Sequence, residues 1–351
     1  MTDQLPTGLP NSLPNSLADT LPTSLVEVEN LKKWFPVESA FLERVVSGQR
    51  DHVRAVDGVS FAIRRGEVFG LAGESGSGKT TVGRLALGLE EPTEGVVRFD
   101  GIDLASLPRE ELRRLRKRMQ VIFQDPMASL NPRMTIGEAI THGLEIHFPE
   151  SADHHRQTTL NMMEKVGLTP PHTFYDQYPH QLSGGQRQRV VIARALVTEP
   201  DLVLADEPIA MADVSVRALL LDLMKQLKNE LNLTYLFITH DLATAKYLCD
   251  RIGILYLGKM VELGDIRDVY EHPLHPYTQA LLAAVPVPDP RQRRVKAMPA
   301  GEIPNPINPP SGCRFHPRCP LAEKICGVED PEQRELRPGH VVACHFAERF
   351  V

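Results

Sequence analysis

The residues Gly73-Glu74-Ser75-Gly76-Ser77-Gly78-Lys79-Thr80-Thr81 fit the phosphate-loop pattern G-x-x-x-x-G-K-[ST] at every fixed position. Glycines let such a loop turn its backbone N–H groups toward bound phosphates. A helix starting at its end adds the positive pole of its dipole. Lys79 can then reach the β- and γ-phosphates, and the Thr80 hydroxyl can ligate Mg²⁺. The pattern predicts a nucleoside triphosphate site. It does not say what the triphosphate is spent on.

Further polar residues stand where a phosphoryl-transfer site would use them. Asp206 and Glu207 follow the apolar run Leu202-Val203-Leu204-Ala205. An aspartate there can hold Mg²⁺ through its water shell, and a glutamate beside it can orient or deprotonate an attacking water. Gln124 follows Val121–Phe123 and can join the metal and sense the γ-phosphate. His240 closes the run from Tyr235 to Ile238 and can hydrogen-bond the γ-phosphate. A second anion site is suggested by Leu182-Ser183-Gly184-Gly185-Gln186, which opens an amphipathic helix from Gln186 to Val197. One chain already has one phosphate loop, so this second site suggests completion of a neighbouring subunit's pocket.

Of the five cysteines, Cys313, Cys319, Cys326 and Cys344 crowd the last forty or so residues. Four thiolates can bind Zn²⁺ or an iron–sulfur cluster, with His316 and His345 as substitute zinc ligands. The spacing lacks the paired C-x₂-C knuckles common in zinc sites.

The elements that must position these groups follow from periodicity. Val68–Leu71, Val121–Phe123, Leu202–Ala205 and Tyr235–Ile238 are short apolar runs, the later ones separated by helical patterns. That alternation predicts a parallel α/β sheet, whose ligands sit beyond the carboxyl ends of the strands. Each of the four runs delivers a polar candidate at that end. Val26–Val28, Ala55–Ile63 and Val96–Phe99 predict a small antiparallel sheet beside it, with Pro36–Arg54 as a polar loop. Pro108 opens a helix whose acidic first turn and basic end (Arg113 to Arg118) suit the helix dipole, its charges read as a solvated face. Residues 134 to 180 read as an inserted helical subdomain. Residues 1–24, with recurrent Leu-Pro-Thr and Asn-Ser-Leu units, read as a disordered leader.

The 351 residues allow two domains, and 42% hydrophobic with 24% charged residues describes a globular protein. The net charge of −6 argues against a broad nucleic-acid surface. No apolar run is long enough to span a bilayer, and no signal peptide is visible, so the cytosol is the expected compartment.

Taken in order, Gly73–Thr81, Gln124, Leu182–Gln186, Asp206-Glu207, Asp213 and His240 resemble an ATP-binding-cassette (ABC) ATPase over roughly residues 25–264. The resemblance implies a P-loop α/β domain with an antiparallel β subdomain and a helical subdomain at about 125–190. It implies a head-to-tail dimer with two ATPs, each held between one subunit's phosphate loop and the other's Ser183–Gln186 and Asp213. It also implies an aromatic residue stacking on adenine: Phe35, with Trp34 as the alternative. Residues 265–351, with Glu271-His272-Pro273-Leu274-His275-Pro276-Tyr277-Thr278 and Gly312-Cys313-Arg314-Phe315-His316-Pro317-Arg318-Cys319-Pro320, resemble the C-terminal extension of oligopeptide/dipeptide importer ATPases, which also serve nickel uptake. Within this resemblance His272 and His275 belong to a structural turn, and the four cysteines to a four-iron, four-sulfur cluster rather than zinc.

The implied partners are a second cassette, usually a paralogue, two transmembrane permeases and an extracytoplasmic substrate-binding protein, at the cytoplasmic face of the membrane. One segment departs from the family pattern: Pro208-Ile209-Ala210-Met211-Ala212-Asp213 stands where Ser-Ala-Leu-Asp or Ser-Met-Leu-Asp usually closes the stretch. That bears on communication between subunits. Two rivals are a soluble cassette ATPase acting on nucleic acid or ribosomes, and a redox-sensing regulatory ATPase. A single cassette, the acidic balance and the tail count against the first.

Overall fold

The structure, a computed structural model, describes residues 24–37, 52–149, 152–285 and 301–351; most of the expected leader lies outside these residues. Two sheets organise them. The smaller is antiparallel, in the order β2-β1-β4-β5, built from β1 (Ser24–Pro36), β2 (His52–Arg64), β4 (Glu94–Phe99) and β5 (Ile102–Asp103). The larger has eight strands: β3 (Val68–Ala72), β6 (Met119–Ile122), β7 (Leu202–Asp206), β8 (Thr234–Thr239), β9 (Arg251–Tyr256), β10 (Lys259–Asp265), β11 (Arg334–Arg337) and β12 (His340–Val342). Its order is β11-β12-β10-β9-β3-β8-β7-β6, parallel from β9 to β6 and antiparallel from β9 through β10 to β11.

β3 and β8 are buried at every position, which explains their unbroken apolar runs: helices and the second sheet cover both faces. Helix α1 (Lys79–Ala86) lies between the two sheets and buries Val82, Leu85 and Ala86 in their shared core. A Cβ at Gly83 would stand 2.9 Å from both Ile238 Cδ1 and Leu204 Cδ1, so α1 packs closely on the side-chain tips of β7 and β8.

The helical subdomain contains α2 (Ile136–His147) and α3 (Ala152–Lys165), packed on α4 (Gly184–Leu196). Helix α2 starts with a capping box: Thr135 Oγ1 accepts from Glu138 N, and Glu138 accepts from Thr135 N. Ser183 and Gln186 form the same device on α4. A longer helix, α5 (Val214–Leu231), follows Asp213.

Three expectations change. The second strand begins at His52, not Ala55, because His52, Val53 and Arg54 pair with Pro36, Phe35 and Trp34; hairpin pairing overrides local polarity there. The strand expected over Val121–Phe123 lies at Met119–Ile122, and Phe123 emerges exposed at its end. The helix after Pro108 spans Arg109–Leu115 and tightens into a 3₁₀ turn at Arg116–Arg118. Its basic residues are largely paired within the chain: Arg113 on Glu110, Arg116 on the Gly88 carbonyl, and Arg118 on Asp100 and Asp201.

The tail is not an appendage. β12 pairs with β10, and β11 with β12, so the extension continues the main sheet. Glu262 on β10 is fully buried and accepts from Leu274 N (2.7 Å) and His275 N (3.0 Å) while contacting His340 Nε2 at 2.7 Å. His275 Nδ1 accepts from Tyr277 N at 3.0 Å, capping α6 (Pro276–Ala284). Burial pushes the His275 imidazole down to about 4, against the pull of Glu262. His275 is therefore a neutral cap in a structural turn, as the resemblance implies.

Candidate functional site

The chain turns from β3 into α1 through Gly73 to Gly78, with positive φ at Gly73, Gly76 and Gly78. A Cβ on Gly73 would fall 2.2 Å from the Leu255 carbonyl oxygen, and one on Gly78 2.2 Å from that of Ala55. The loop is thus pressed against β9 and β2 and keeps its shape only with glycine at these positions. Lys79 folds back and donates from Nζ to the carbonyls of Gly73 (2.8 Å) and Glu74 (2.9 Å). Its burial lowers the ammonium pKa, against the opposing fields of Glu207, Asp206 and Glu74.

Beside it, the Thr80 hydroxyl donates to Asp206 Oδ1 at 3.2 Å. Two of the three expected Mg²⁺-binding groups, on α1 and β7, are therefore adjacent. Asp206 has a raised pKa because burial disfavours its charge; the Thr80 hydrogen bond offsets part of that, while Glu207 adds to it. A divalent cation between them would relieve both effects.

Glu207 closes the site. Its backbone adopts φ 47°, a left-handed conformation costly for a non-glycine residue, and its N–H donates to Ile238 O at 3.0 Å. The carboxylate takes a hydrogen bond from Gln124 Nε2 (3.1 Å) on one oxygen and lies 3.1 Å from His240 Nδ1 on the other. The residues after three neighbouring strands, β6, β7 and β8, thus meet at a single carboxylate.

Lys79, Thr80, Gln124, Glu207 and His240 line a pocket of about 920 Å³ with Phe35, Val53, Ala55, Glu74, Ser75, Thr81, Leu281 and Pro306; Asp206, bonded to Thr80, is not among its lining residues. Phe35 therefore lines the same pocket as the phosphate loop. Trp34, its alternative, points instead to Asp57, to which its indole N–H donates at 3.2 Å. Ser183, Gly184, Gly185, Gln186 and Asp213 do not line this pocket. Ser183, Gly184 and Asp213 are exposed, and Gly185 backs onto Val216 of α5. The unusual segment before Asp213 is braced by Arg217, which donates to the carbonyls of Ala212 (2.8 Å) and Ala210 (3.3 Å), while Met211 stands 68% exposed.

Cys313, Cys319, Cys326 and Cys344 line one common pocket with His316, His345 and several apolar side chains. Burial pushes the Cys313 thiol up to about 12 and raises those of Cys319 and Cys344. Among the described residues, no group of three or more His, Cys, Asp or Glu side chains is arranged to hold a metal ion. Neither the iron–sulfur cluster nor the zinc alternative, with or without His316 and His345, gains support from this arrangement. His316 Nδ1 contacts the Cys313 carbonyl (2.9 Å) and His345 Nε2 that of Glu329 (3.0 Å).

Residues that sequence reasoning missed come from β2, at Val53 and Ala55, and from the extension. Leu281 and Pro306 line the nucleotide pocket, and Arg54 N donates to Pro306 O at 3.1 Å. Arg318 and Tyr277 hold Glu74 of the phosphate loop. Their spacing from the loop in sequence gives no local signal.

Comparison with known proteins agrees with this geometry. The family model described as "ABC transporter" matches residues 56–210, and that described as "Oligopeptide/dipeptide transporter, C-terminal region" matches residues 261–326. The chain is 47% identical over 326 residues to the oligopeptide transport ATP-binding protein AppF of Bacillus subtilis, covering 92% of this chain and 97% of that one. It is 50% identical over 322 residues to a putative peptide import ATP-binding protein of Brucella ovis, covering 92% and 98%. Among solved structures, the ATP-binding cassette MJ0796 in a dimeric, post-hydrolysis state bound to ADP and Pi superposes with a TM-score of 0.60 at 30% identity, over 69% of this chain and 99% of that one. CbiO1 of Clostridium perfringens, part of an ABC transporter complex, gives 0.61 at 26% identity, over 71% and 92%. Both rivals from the sequence lose ground, because the match extends through the tail. The chain belongs to the ATP-binding proteins of the oligopeptide/dipeptide ABC transporter family.

Proposed function

We propose that this protein hydrolyses ATP to drive uptake of di- or oligopeptides, or a related cargo such as nickel, through two membrane permeases at the cytoplasmic face. The observation that carries the reading is the meeting of Lys79, Thr80–Asp206 and Gln124–Glu207–His240 around one nucleotide-sized pocket, in a chain whose tail matches the peptide-transporter region. In this reading the loop from Gly73 to Thr81 cradles the phosphates, and Phe35 stacks on adenine. Thr80, Gln124 and Asp206 would hold Mg²⁺, which would neutralise charge on the phosphates. Glu207 takes a proton from the attacking water, and His240 positions the γ-phosphate.

The pocket opens to solvent. Ser183, Gly184, Gly185, Gln186 and Asp213 close it from a second cassette, a paralogue or another copy. The exposure of Ser183, Gly184 and Asp213 and the absence of all five from the lining of this chain's own pocket support that assignment, as does the dimeric state in which MJ0796 was solved. Phe123 and Met127, more than 40% exposed just beyond the Gln124 strand end, offer the permeases an apolar contact that moves with the site. An extracytoplasmic binding protein would deliver the cargo. In vesicles containing the permeases and both cassettes, ATP is expected to drive peptide accumulation. Accumulation without this subunit would overturn the reading.

The same proposal assigns Cys313, Cys319, Cys326 and Cys344 to a four-iron, four-sulfur cluster. Their sharing of one largely apolar pocket supports it, since such a cluster is bound by four thiolates and tuned by its apolar surroundings. Protein purified without oxygen is expected to be brown, with a broad visible absorption band that is lost in a Cys319→Ser variant. A colourless, iron-free preparation would contradict the assignment.

A further inference from the structure

The phosphate loop carries a carboxylate. Glu74, directly after the first glycine, sits in a cradle whose task is to bind a triphosphate, so its charge opposes the ligand. The extension answers that charge. Arg318 is only 8% exposed and makes a two-pronged contact with the Glu74 carboxylate, Nη1 to Oε2 at 2.7 Å and Nη2 to Oε1 at 3.1 Å. Tyr277 adds a second hold, its hydroxyl accepting from the Glu74 backbone N–H at 2.8 Å. The third comes from within the loop, where Lys79 donates to the Glu74 carbonyl at 2.9 Å. All three polar groups of Glu74 are thereby fixed, two of them by residues more than 200 positions away.

The holders are themselves set firmly. Arg318 also donates to Tyr256 Oη at 3.3 Å and lies over the rings of Tyr256 and Phe315, at 5.8 and 5.9 Å from their centroids. Tyr256, Tyr277 and Phe315 pack edge-on or tilted at 4.7 to 5.3 Å. Arg314, four residues earlier, is buried on Asp57 and on the Leu257 carbonyl, where β9 ends. Leu257 is followed by Gly258, whose N–H donates to Ser77 O of the loop at 2.9 Å. The extension therefore holds the loop directly at Glu74 and, through Arg314, braces the β9–β10 turn that bonds Ser77.

We propose that Arg318 is a positioning residue for ATP: it neutralises Glu74 and, with Tyr277, holds the loop in its phosphate-binding shape, so that the C-terminal extension sets the nucleotide affinity of the cassette. A bidentate, buried guanidinium–carboxylate pair suits this role because it fixes geometry as well as charge. Losing the arginine leaves an uncompensated carboxylate facing the triphosphate and frees the loop at its first step. Losing both charges restores neutrality, although of the extension's two holds on Glu74 that of Tyr277 then remains without Arg318.

The inference rests on ATP binding at Gly73–Thr81, and wild-type ATP binding is the control for that reading. The test is a double-mutant cycle on the full chain, reading ATP affinity by equilibrium titration and KM against kcat in the ATPase assay. Arg318→Met is expected to raise Kd and KM for ATP about tenfold, with kcat at saturating ATP within twofold of wild type. Adding Glu74→Gln to it is expected to recover most of the loss, and Arg318→Lys, which keeps the charge, to fall between wild type and Arg318→Met. A purely structural role predicts no such recovery. Wild-type ATP affinity in Arg318→Met, or a double variant as weak as the single one, would overturn the proposal. Should Arg318→Met fail to fold, Arg318→Lys decides by the same titration: a two- to fivefold loss at an unchanged melting temperature supports the role, and no loss refutes it.

Discussion

Glu207→Gln is expected to lower ATP turnover by at least about 100-fold while leaving ATP affinity within about threefold, because a general base supplies roughly 10²–10⁴ of rate. The amide keeps the shape of the carboxylate and an oxygen to accept from Gln124 Nε2, but it cannot take a proton from water. The strained backbone at φ 47° is a property of the turn after β7, so the side chain's position should survive the change. ATP is then held without being consumed, and the closed dimer accumulates. Steady-state turnover and the nucleotide content of the purified complex check this together. A variant that turns over at the wild-type rate would remove Glu207 from the role of base.

Gly78→Ala has an equally large expected effect on binding. Gly78 has φ 102°, a region closed to side-chain-bearing residues at an energy of roughly 1–3 kcal/mol. The added Cβ would also stand 2.2 Å from the Ala55 carbonyl oxygen, a backbone atom within β2 that cannot step aside as a side-chain tip does. Relief requires the loop to lift from β2, which moves Lys79 and the start of α1 away from the phosphates. ATP affinity is expected to fall at least about tenfold with the fold retained, as titration and circular dichroism would show. Unchanged affinity would mean that the loop adapts and that its present shape is not the binding shape.

The candidate site was legible in the sequence because its residues follow buried strands, and strand ends are marked locally. An apolar run followed by Asp206-Glu207, or by His240, announces both the strand and the edge at which it stops. Register within the antiparallel sheet was less legible: His52–Arg54 looks like loop until Trp34–Pro36 is set opposite it. The part played by the extension was not legible at all. Arg318 and Glu74 are 244 residues apart, Arg314 and Asp57 257, and nothing near either arginine says which carboxylate it will meet. Glu262 shows the same difficulty at short range. It reads as one polar residue in a strand, yet it is buried as the acceptor that ties β10 to the turn at Leu274–His275 and to His340 of β12. Such charge pairs are decided by tertiary packing, which local pattern does not encode.

The central claim is that the phosphate loop is half a site and that residues Ser183–Gln186 finish a neighbour's. Gly184 offers the sharpest probe, since a Cβ placed there meets nothing within 4 Å in its own chain. A side chain at this position disturbs no packing within the subunit, whereas Gly184→Asp would set a negative charge against a partner's bound triphosphate. The deciding measurement is ATP binding and ATP turnover of Gly184→Asp in the complex assembled with its permeases and second cassette. The account predicts that this subunit's own ATP affinity stays within about threefold of wild type, while turnover at the site it completes in the partner falls at least about tenfold. Turnover at the wild-type level would contradict a shared site.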